Sequence, residues 1–240
     1  MTGIFCAIDA PGLQEAKNLV EKISGTGVGL KIGLELFVAE GPSCVEVLRK
    51  IAGDNVPVFL DLKLHDIPNT VAGAVRAAVK CRADFLTIHT SGGKEMMRAA
   101  ALAAKEEAKK EGVAAPKLLG VTVLTHMDES DLEDVGQHPQ AAEQVMRLAK
   151  LAQSAGLQGV VCSPKEISAL RKSLPSEMVL VVPGIRPEGS DKGDQKRVMT
   201  PVEAASLGAD YLVIGRPITQ AKDPAAAARD IVLSLEKKAA

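Results

Sequence analysis

The chain has 240 residues, with 29 Lys and Arg against 30 Asp and Glu, and its length is close to the roughly 250 residues of one (β/α)8 barrel. The net charge of −1 and the aromatic content of 2% argue against a nucleic-acid partner, which requires basic patches and stacking side chains. No apolar run approaches the roughly 18 residues of a membrane span and no signal peptide opens the chain, so we expect a cytoplasmic protein that contacts no membrane.

Short apolar runs alternate with Ala-rich amphipathic segments along the whole chain. The predicted strands are Ile4–Ile8, Val28–Ile32, Val58–Leu62, Phe85–Ile88, Leu118–Leu124, Gly159–Cys162, Val179–Val182 and Tyr211–Ile214. The predicted helices are Leu13–Ile23, Ser43–Ile51, Ala72–Val79, Glu95–Lys110, Ala141–Ala155, Pro164–Ser173, Val202–Leu207 and Ala225–Leu235. This alternation is typical of parallel βαβ units whose sheet is covered on both faces. About eight units without a dividing linker predict an α/β fold, a single (β/α)8 TIM barrel forming one domain over residues 1–240.

The third predicted strand runs into the sequence Asp-Leu-Lys-Leu-His-Asp-Ile-Pro-Asn-Thr at residues 61–70. Because side chains alternate along a strand, Asp61 and Lys63 project to the same side. Asp66 adds a third charge just before Pro68, where a helix is predicted to begin. Buried charge is costly unless it is paired or binds a ligand, so this cluster indicates an active site. The alternative is structural: Asp66 caps the helix and Asp61 pairs with Lys63.

Charged side chains also end the two preceding strands, with Asp9 after the first and Lys31 in the second. In a barrel these ends are neighbours around one mouth, so Asp9, Lys31, Asp61 and Lys63 form an alternating set that we name the charged array. Packing alone would select apolar residues at such positions, so the array predicts a functional site. We expect mutual pairing to keep its lysines protonated and its carboxylates ionised.

The last two strands are followed by Gly-Arg elements, Pro183-Gly184-Ile185-Arg186 and Ile214-Gly215-Arg216. Phosphate binds after strands 7 and 8 in many barrels, because glycine lets backbone N–H groups approach and arginine grips the oxygens. The polar segment from Arg186 to Arg197, which contains Gln195, is predicted to be a lid over the mouth. Thr125, at the end of the fifth strand, is a candidate contact for a ring.

These motifs, in this order over essentially the whole chain, resemble the orotidine 5′-monophosphate decarboxylase family, above all at residues 61–70. The resemblance implies decarboxylation of orotidine 5′-monophosphate to UMP in de novo pyrimidine biosynthesis, without cofactor or metal. It implies that Lys63 stabilises and protonates a ring carbanion, with Asp61 and Asp66 holding Lys63. It also implies a homodimer in which Asp66 and Thr70 reach the partner's site. The substrate-binding residues that it implies are Asp9, Lys31, Asp61, Lys63, Asp66, Ile67, Thr70, Thr125, Arg186, Gln195, Gly215 and Arg216.

Two other functions remain open at this stage. Metal-dependent sugar-phosphate decarboxylases and synthases of the same superfamily also carry Asp-x-Lys-x-x-Asp and use Mg²⁺. The residues Lys31-Ile32-Gly33 and Ile67-Pro68-Asn69-Thr70 favour the pyrimidine enzyme, and the four scattered cysteines lack metal-ligand spacing. A phosphate-ligand sensor on a barrel scaffold is the non-enzymatic alternative, but a sensor does not need Lys63 between two carboxylates.

Overall fold

Eight parallel strands close into a barrel in sequence order, with β8 hydrogen-bonded to β1. The computed structural model describes residues 2–187 and 199–239. The strands are β1 Gly3–Ile8, β2 Gly29–Ile32, β3 Val58–Leu64, β4 Phe85–His89, β5 Lys117–Val121, β6 Gly159–Val161, β7 Val179–Val182 and β8 Tyr211–Ile214. The helices are α1 Leu13–Ile23, α2 Leu34–Glu40, α3 Ser43–Ala52, α4 Pro68–Lys80, α5 Gly93–Glu111, α6 Glu129–Asp134, α7 Ala141–Ser154, α8 Ile167–Ser173, α9 Pro201–Ser206, α10 Arg216–Thr219 and α11 Pro224–Ala239. The predicted (β/α)8 barrel is confirmed.

The structure differs from the predicted elements mainly at their ends and in the short helices. β5 ends at Val121 rather than Leu124, where its partner β6 also ends at Val161. The backbone N–H and hydroxyl of Thr122 then both donate to the carbonyl of Val161, at 3.3 and 2.8 Å. Helices α2, α6 and α10 were not predicted. They have four to seven residues, and α2 exposes Leu34 and Val38, so it lacks the one-sided apolar pattern of a packed helix.

Aromatic rings fill the barrel interior toward the amino ends of the strands. Phe5 packs against Phe59 and Phe85 with ring centroids 5.4 and 5.3 Å apart, and Tyr211 lies 5.0 Å from Phe85. These are four of the five aromatic residues in the chain. The few aromatic side chains are therefore concentrated in one plug, which makes the interior dry and of low dielectric below the mouth.

A second core lies between the strands and the surrounding helices. Helix α5 buries a stripe of small and flexible side chains that includes Met96, Met97 and Ala100, as its apolar spacing predicts. None of the described helices combines the length and the apolar character that crossing a bilayer requires.

Asp84 fastens the amino end of β3 to the turn before β4. Its Oδ2 accepts hydrogen bonds from the backbone N–H of Val58 at 2.8 Å and from the guanidinium of Arg49 at 3.2 Å. The same guanidinium donates to the carbonyl of Arg82 at 2.5 Å. Arg82 has a φ of +55°, a left-handed conformation that is unusual for a residue with a side chain.

The same arrangement recurs between β7 and β8. Oδ2 of Asp210 accepts from the backbone N–H of Leu180 at 2.7 Å and pairs with Arg171, whose Nε donates to the carbonyl of Gly208 at 2.7 Å. Gly208, with a φ of +102°, occupies the place that Arg82 takes in the first half of the chain. The Asp84–Arg49 and Asp210–Arg171 pairs both lie at the end of the barrel opposite the mouth, where they hold strand pairs together.

Candidate active site

The charged array assembles at the carboxyl ends of β1, β2 and β3, as the sequence predicted. Nζ of Lys31 lies 3.3 Å from Oδ1 of Asp9 and 3.7 Å from Oδ2 of Asp61. Nζ of Lys63 lies 2.8 Å from the same Oδ2 of Asp61. Each lysine therefore faces a carboxylate, and Asp61 lies between the two ammonium groups.

Burial within the array increases toward its centre. The side chains of Lys31 and Asp61 are 9% and 14% exposed, whereas those of Lys63 and Asp9 are 29% and 59% exposed. Burial by itself would raise the pKa of Asp61, but the charges of Lys31 and Lys63, with hydrogen bonds from Lys63 and Thr87, outweigh it and lower that pKa. Asp61 is thus held ionised, as predicted.

An apolar cleft opens directly beside Asp61 and Lys63. Its volume is about 150 Å³, and Val121, Val161 and Val213 contribute to its wall. Thr125, the predicted ring contact, also lines this cleft. The two outer members of the charged array therefore differ in their surroundings: Asp9 faces solvent, and Lys63 borders a largely apolar space.

Thr87 was not predicted from the sequence as a residue of the site, and Gly33 was named there only as part of Lys31-Ile32-Gly33, without a role. The buried hydroxyl of Thr87 accepts a hydrogen bond from the backbone N–H of Lys63 and donates one to Oδ1 of Asp61, both at 2.9 Å. A Cβ added at Gly33 would lie 3.0 Å from Nζ of Lys31, so the missing side chain leaves room for that ammonium group. Thr87 lies two residues after Phe85, and this spacing places it on the inward face of β4 but does not indicate its hydrogen bond to Asp61.

The segment after β3 lies outside the charged array. Asp66, Ile67 and Thr70 are exposed, and within the described part of a single chain Asp66 forms no ion pair with Lys63. Oδ1 of Asp66 accepts from the backbone N–H of Ile67 at 2.6 Å. Helix α4 has Ile67 as its N-cap and no side-chain cap, so Asp66 does not occupy the capping position.

The predicted phosphate residues follow β7 and β8. Arg186 is buried, and its Nη1 donates to the carbonyl of Ile185 at 2.9 Å. Gly215 is the N-cap of the short helix α10, and Arg216 is exposed as its first residue. Residues 188–197 of the predicted lid, Gln195 among them, lie outside the described residues.

The donors present suit electrostatic chemistry better than metal binding. Over residues 2–187 and 199–239, no group of three or more His, Cys, Asp or Glu side chains could hold a metal ion. Asp61, the more buried of the two carboxylates in the charged array, is already engaged by two lysines and a hydroxyl. The arrangement can stabilise a negative charge that develops beside Lys63 and can deliver a proton from its ammonium group.

Fold and site together define a (β/α)8-barrel enzyme that carries an alternating set of charged side chains at the carboxyl ends of its strands. The chain belongs to the orotidine 5′-phosphate decarboxylase / HUMPS family, whose model matches residues 2–231. It is 51% identical over 234 residues to a protein of Moorella thermoacetica named orotidine 5′-phosphate decarboxylase, covering 97% of this chain and 92% of the relative.

Two further relatives agree with this assignment. A protein of the same name from Paramagnetospirillum magneticum is 50% identical over 97% of both chains. The crystal structure of orotidine 5′-phosphate decarboxylase from Lactobacillus acidophilus superposes with a TM-score of 0.86 at 34% identity, covering 98% of this chain and 99% of the other. The resemblance predicted from residues 61–70 is therefore confirmed over nearly the whole chain.

Proposed function

We propose that the chain decarboxylates orotidine 5′-monophosphate to UMP in de novo pyrimidine biosynthesis, as a carboxy-lyase. The observation that carries this proposal is the Lys63 ammonium, 2.8 Å from Asp61 and beside an apolar cleft. The names of relatives about half identical over 97% of the chain support the same reaction. A cytoplasmic location, which the four free thiols support, belongs to the proposal.

Lys63 is proposed to act on the ring carbon that loses the carboxylate. The carbon–carboxylate bond breaks to release CO2 and leaves an electron pair on the ring carbon, which then takes a proton from Nζ of Lys63. At about 4 Å, unit charges attract by about 4 kcal/mol at an effective dielectric of about 20, so a fixed ammonium group contributes substantially to lowering the barrier. Asp61 holds that ammonium group and lies near the substrate carboxylate.

The remaining residues are proposed to bind the nucleotide away from the reacting carbon. Asp9 and Lys31 bind the ribose hydroxyls, and Thr125 contacts the pyrimidine that enters the cleft. The phosphate binds far from the pyrimidine ring, and its binding energy helps to order the charged side chains around that ring. The residues proposed to surround the phosphate and the closed mouth are Arg186, Gln195, Gly215, Arg216 and Ile67.

A homodimer with shared sites is the second part of the proposal, with Asp66 and Thr70 contributing to the partner's site. Its support is the exposed segment after β3, which carries Asp66 beside an Ile67 side chain that is 68% exposed. Helix α2, which follows the neighbouring strand β2, carries a second exposed apolar side chain, Val38, which is 79% exposed. Exposed apolar side chains that follow the carboxyl ends of two neighbouring strands suit contact with a second copy.

The reaction itself is tested by mixing the purified protein with orotidine 5′-monophosphate and following the loss of its ultraviolet absorbance. Lys63→Ala should abolish turnover while retaining UMP binding, because the phosphate is held elsewhere. Lys50→Ala, which removes an exposed pair with Glu46, is the control and should be as active as the parent. A wild-type protein that leaves the substrate unchanged would refute the proposal.

Treatment with a chelator distinguishes the proposed reaction from that of the metal-dependent sugar-phosphate enzymes. Turnover of orotidine 5′-monophosphate should persist after exhaustive EDTA treatment, since Asp61 is engaged by lysines rather than open to a cation. Activity that disappears with the chelator and returns with Mg²⁺ would favour the alternative instead.

Subunit mixing tests the shared site. Lys63→Ala and Asp66→Ala homodimers should each be nearly inactive, because every site carries one lesion. After free exchange about half of the dimers are mixed and half of their sites are intact, so about a quarter of wild-type activity should return. No recovery, with exchange verified by mass spectrometry, would assign Asp66 to its own subunit's site.

A further inference from the structure

The backbone of β3 leaves regular strand geometry where it carries the site. Leu60 pairs with Leu86 of β4, but the next pairing joins Leu64 to Ile88, so β3 uses four residues where β4 uses two. Lys63 lies in this irregular stretch with a φ of +48°. A side-chain-bearing residue in the left-handed region costs about 1 to 3 kcal/mol, so neighbouring contacts must hold it there.

One hydroxyl supplies such contacts. Thr87 lies opposite the irregular stretch, and its Oγ1 accepts a hydrogen bond from the backbone N–H of Lys63 at 2.9 Å. The single hydroxyl proton is directed to Oδ1 of Asp61, also at 2.9 Å. The Thr87 residue is fully buried, so water does not compete for either bond.

The hydrogen bond from Thr87 to Asp61 also determines which oxygen of that carboxylate faces the two lysines. With Oδ1 taken by Thr87, Oδ2 faces Nζ of Lys63 at 2.8 Å and Nζ of Lys31 at 3.7 Å. The same hydroxyl therefore constrains the main chain of Lys63 and the orientation of its counter-ion. A hydrocarbon side chain of the same shape would do neither, because it offers no donor and no acceptor.

We propose that Thr87 is a positioning residue for the proposed reaction, whose hydroxyl holds Lys63 and Asp61 in the geometry that decarboxylation requires. The inference rests on the proposed function for its catalytic consequence and on the hydrogen bonds for its structural one. It predicts that loss of the hydroxyl lowers the rate of the chemical step and leaves nucleotide binding nearly unchanged.

Three variants test the role of the hydroxyl. Thr87→Val keeps the shape and removes the hydroxyl, and Thr87→Ser restores it. Thr90→Val is the matched control: Thr90 is equally buried, three residues along the chain, and its hydroxyl donates to the carbonyl of Val121 at 2.7 Å rather than to the array. All three are measured for kcat, KM and UMP affinity.

We expect Thr87→Val to lower kcat by about 10- to 100-fold, while KM and the Kd for UMP change by less than about threefold. Thr87→Ser should recover most of the lost kcat, and Thr90→Val should change kcat by less than about twofold. Wild-type kcat in Thr87→Val would overturn the proposal. So would an equal loss in Thr90→Val, because the effect would then reflect general loosening of the core.

Amide hydrogen exchange gives a readout that does not depend on the reaction. The Lys63 amide should exchange about tenfold or more faster in Thr87→Val than in the wild type or in Thr90→Val. Unchanged protection would refute the positioning role even in an active enzyme. If the wild type fails to consume orotidine 5′-monophosphate, the proposed function fails, and this exchange measurement still decides whether Thr87 holds Lys63.

Discussion

Replacing Asp61 by Asn removes one negative charge from between two ammonium groups and preserves the size of the side chain. At 2.8 and 3.7 Å, the attractions to Lys63 and Lys31 are about 6 and about 4.5 kcal/mol with an effective dielectric of about 20. Desolvation of the buried carboxylate offsets much of this sum, and Lys63 is partly screened by solvent. Because breaking buried pairs costs about 3 to 5 kcal/mol, we expect the free energy of unfolding at pH 7 to fall by about 3 kcal/mol.

The sign of the pH dependence follows from the lowered pKa of Asp61. A depressed folded pKa contributes stability that is fully present above the unfolded value of about 3.9 and is lost as the pH falls through the folded pKa. The stability difference between the wild type and Asp61→Asn should therefore stay nearly constant from pH 7 to about 5. It should shrink progressively below about pH 4, where the Asp61 carboxylate of the unfolded chain takes up a proton while that of the folded protein is still ionised.

Urea unfolding followed by circular dichroism at pH 7, 5, 4 and 3 measures this difference. Asp54→Asn, at an exposed loop position, is the control and should change stability by less than about 0.5 kcal/mol at each pH. An Asp61→Asn protein as stable as the wild type at pH 7 would show that the ion pairs do not stabilise the fold. A difference that grows toward pH 3 would show that the sign of the pKa shift is wrong.

Three further substitutions test other parts of the structure. Gly33→Ala should raise KM about tenfold with the fold intact, because the new Cβ would lie 3.0 Å from Nζ of Lys31; an unchanged KM in steady-state assays would contradict this. Asp210→Ala should lower the free energy of unfolding by about 1 to 3 kcal/mol, because it leaves the N–H of Leu180 unpaired. It should not change kcat, because Asp210 lies far from the mouth. Urea titration measures the first effect and steady-state kinetics the second. Arg82→Gly should raise the thermal midpoint by a few degrees, because glycine adopts a φ of +55° without strain. A lower midpoint in calorimetry would contradict this expectation.

The barrel and the charged array could be read from the sequence because both depend on local alternation. Eight apolar runs separated by amphipathic segments admit few topologies, and parallel strands bring their carboxyl ends together. Once the strands were assigned, Asp9, Lys31, Asp61 and Lys63 had to meet at one mouth. Charged residues at successive strand ends are unfavourable for packing, so they indicate a candidate site.

Thr87 and the backbone conformation of Lys63 could not be read in the same way. Threonine is common in strands, so its type at position 87 gives no sign of a bond to Asp61. The irregular pairing after Leu60 depends on how β3 and β4 fit together, and a left-handed lysine has no sequence signature. Such features arise from contacts between strands, and a single sequence contains them only indirectly.

The two ends of the barrel use the same charged residue types in different ways. At the amino end, Asp84 and Asp210 accept backbone N–H groups as well as arginine, so their charges are satisfied by the fold itself. At the mouth, Lys31 and Lys63 are satisfied mainly by the carboxylates of Asp9 and Asp61, which are side chains that a ligand can also engage. Such groups keep the capacity to exchange a protein partner for a substrate, whereas a charge locked to the backbone does not. Substitutions of Asp84 and Asp210 should therefore change stability alone, and those within the charged array should change catalysis as well.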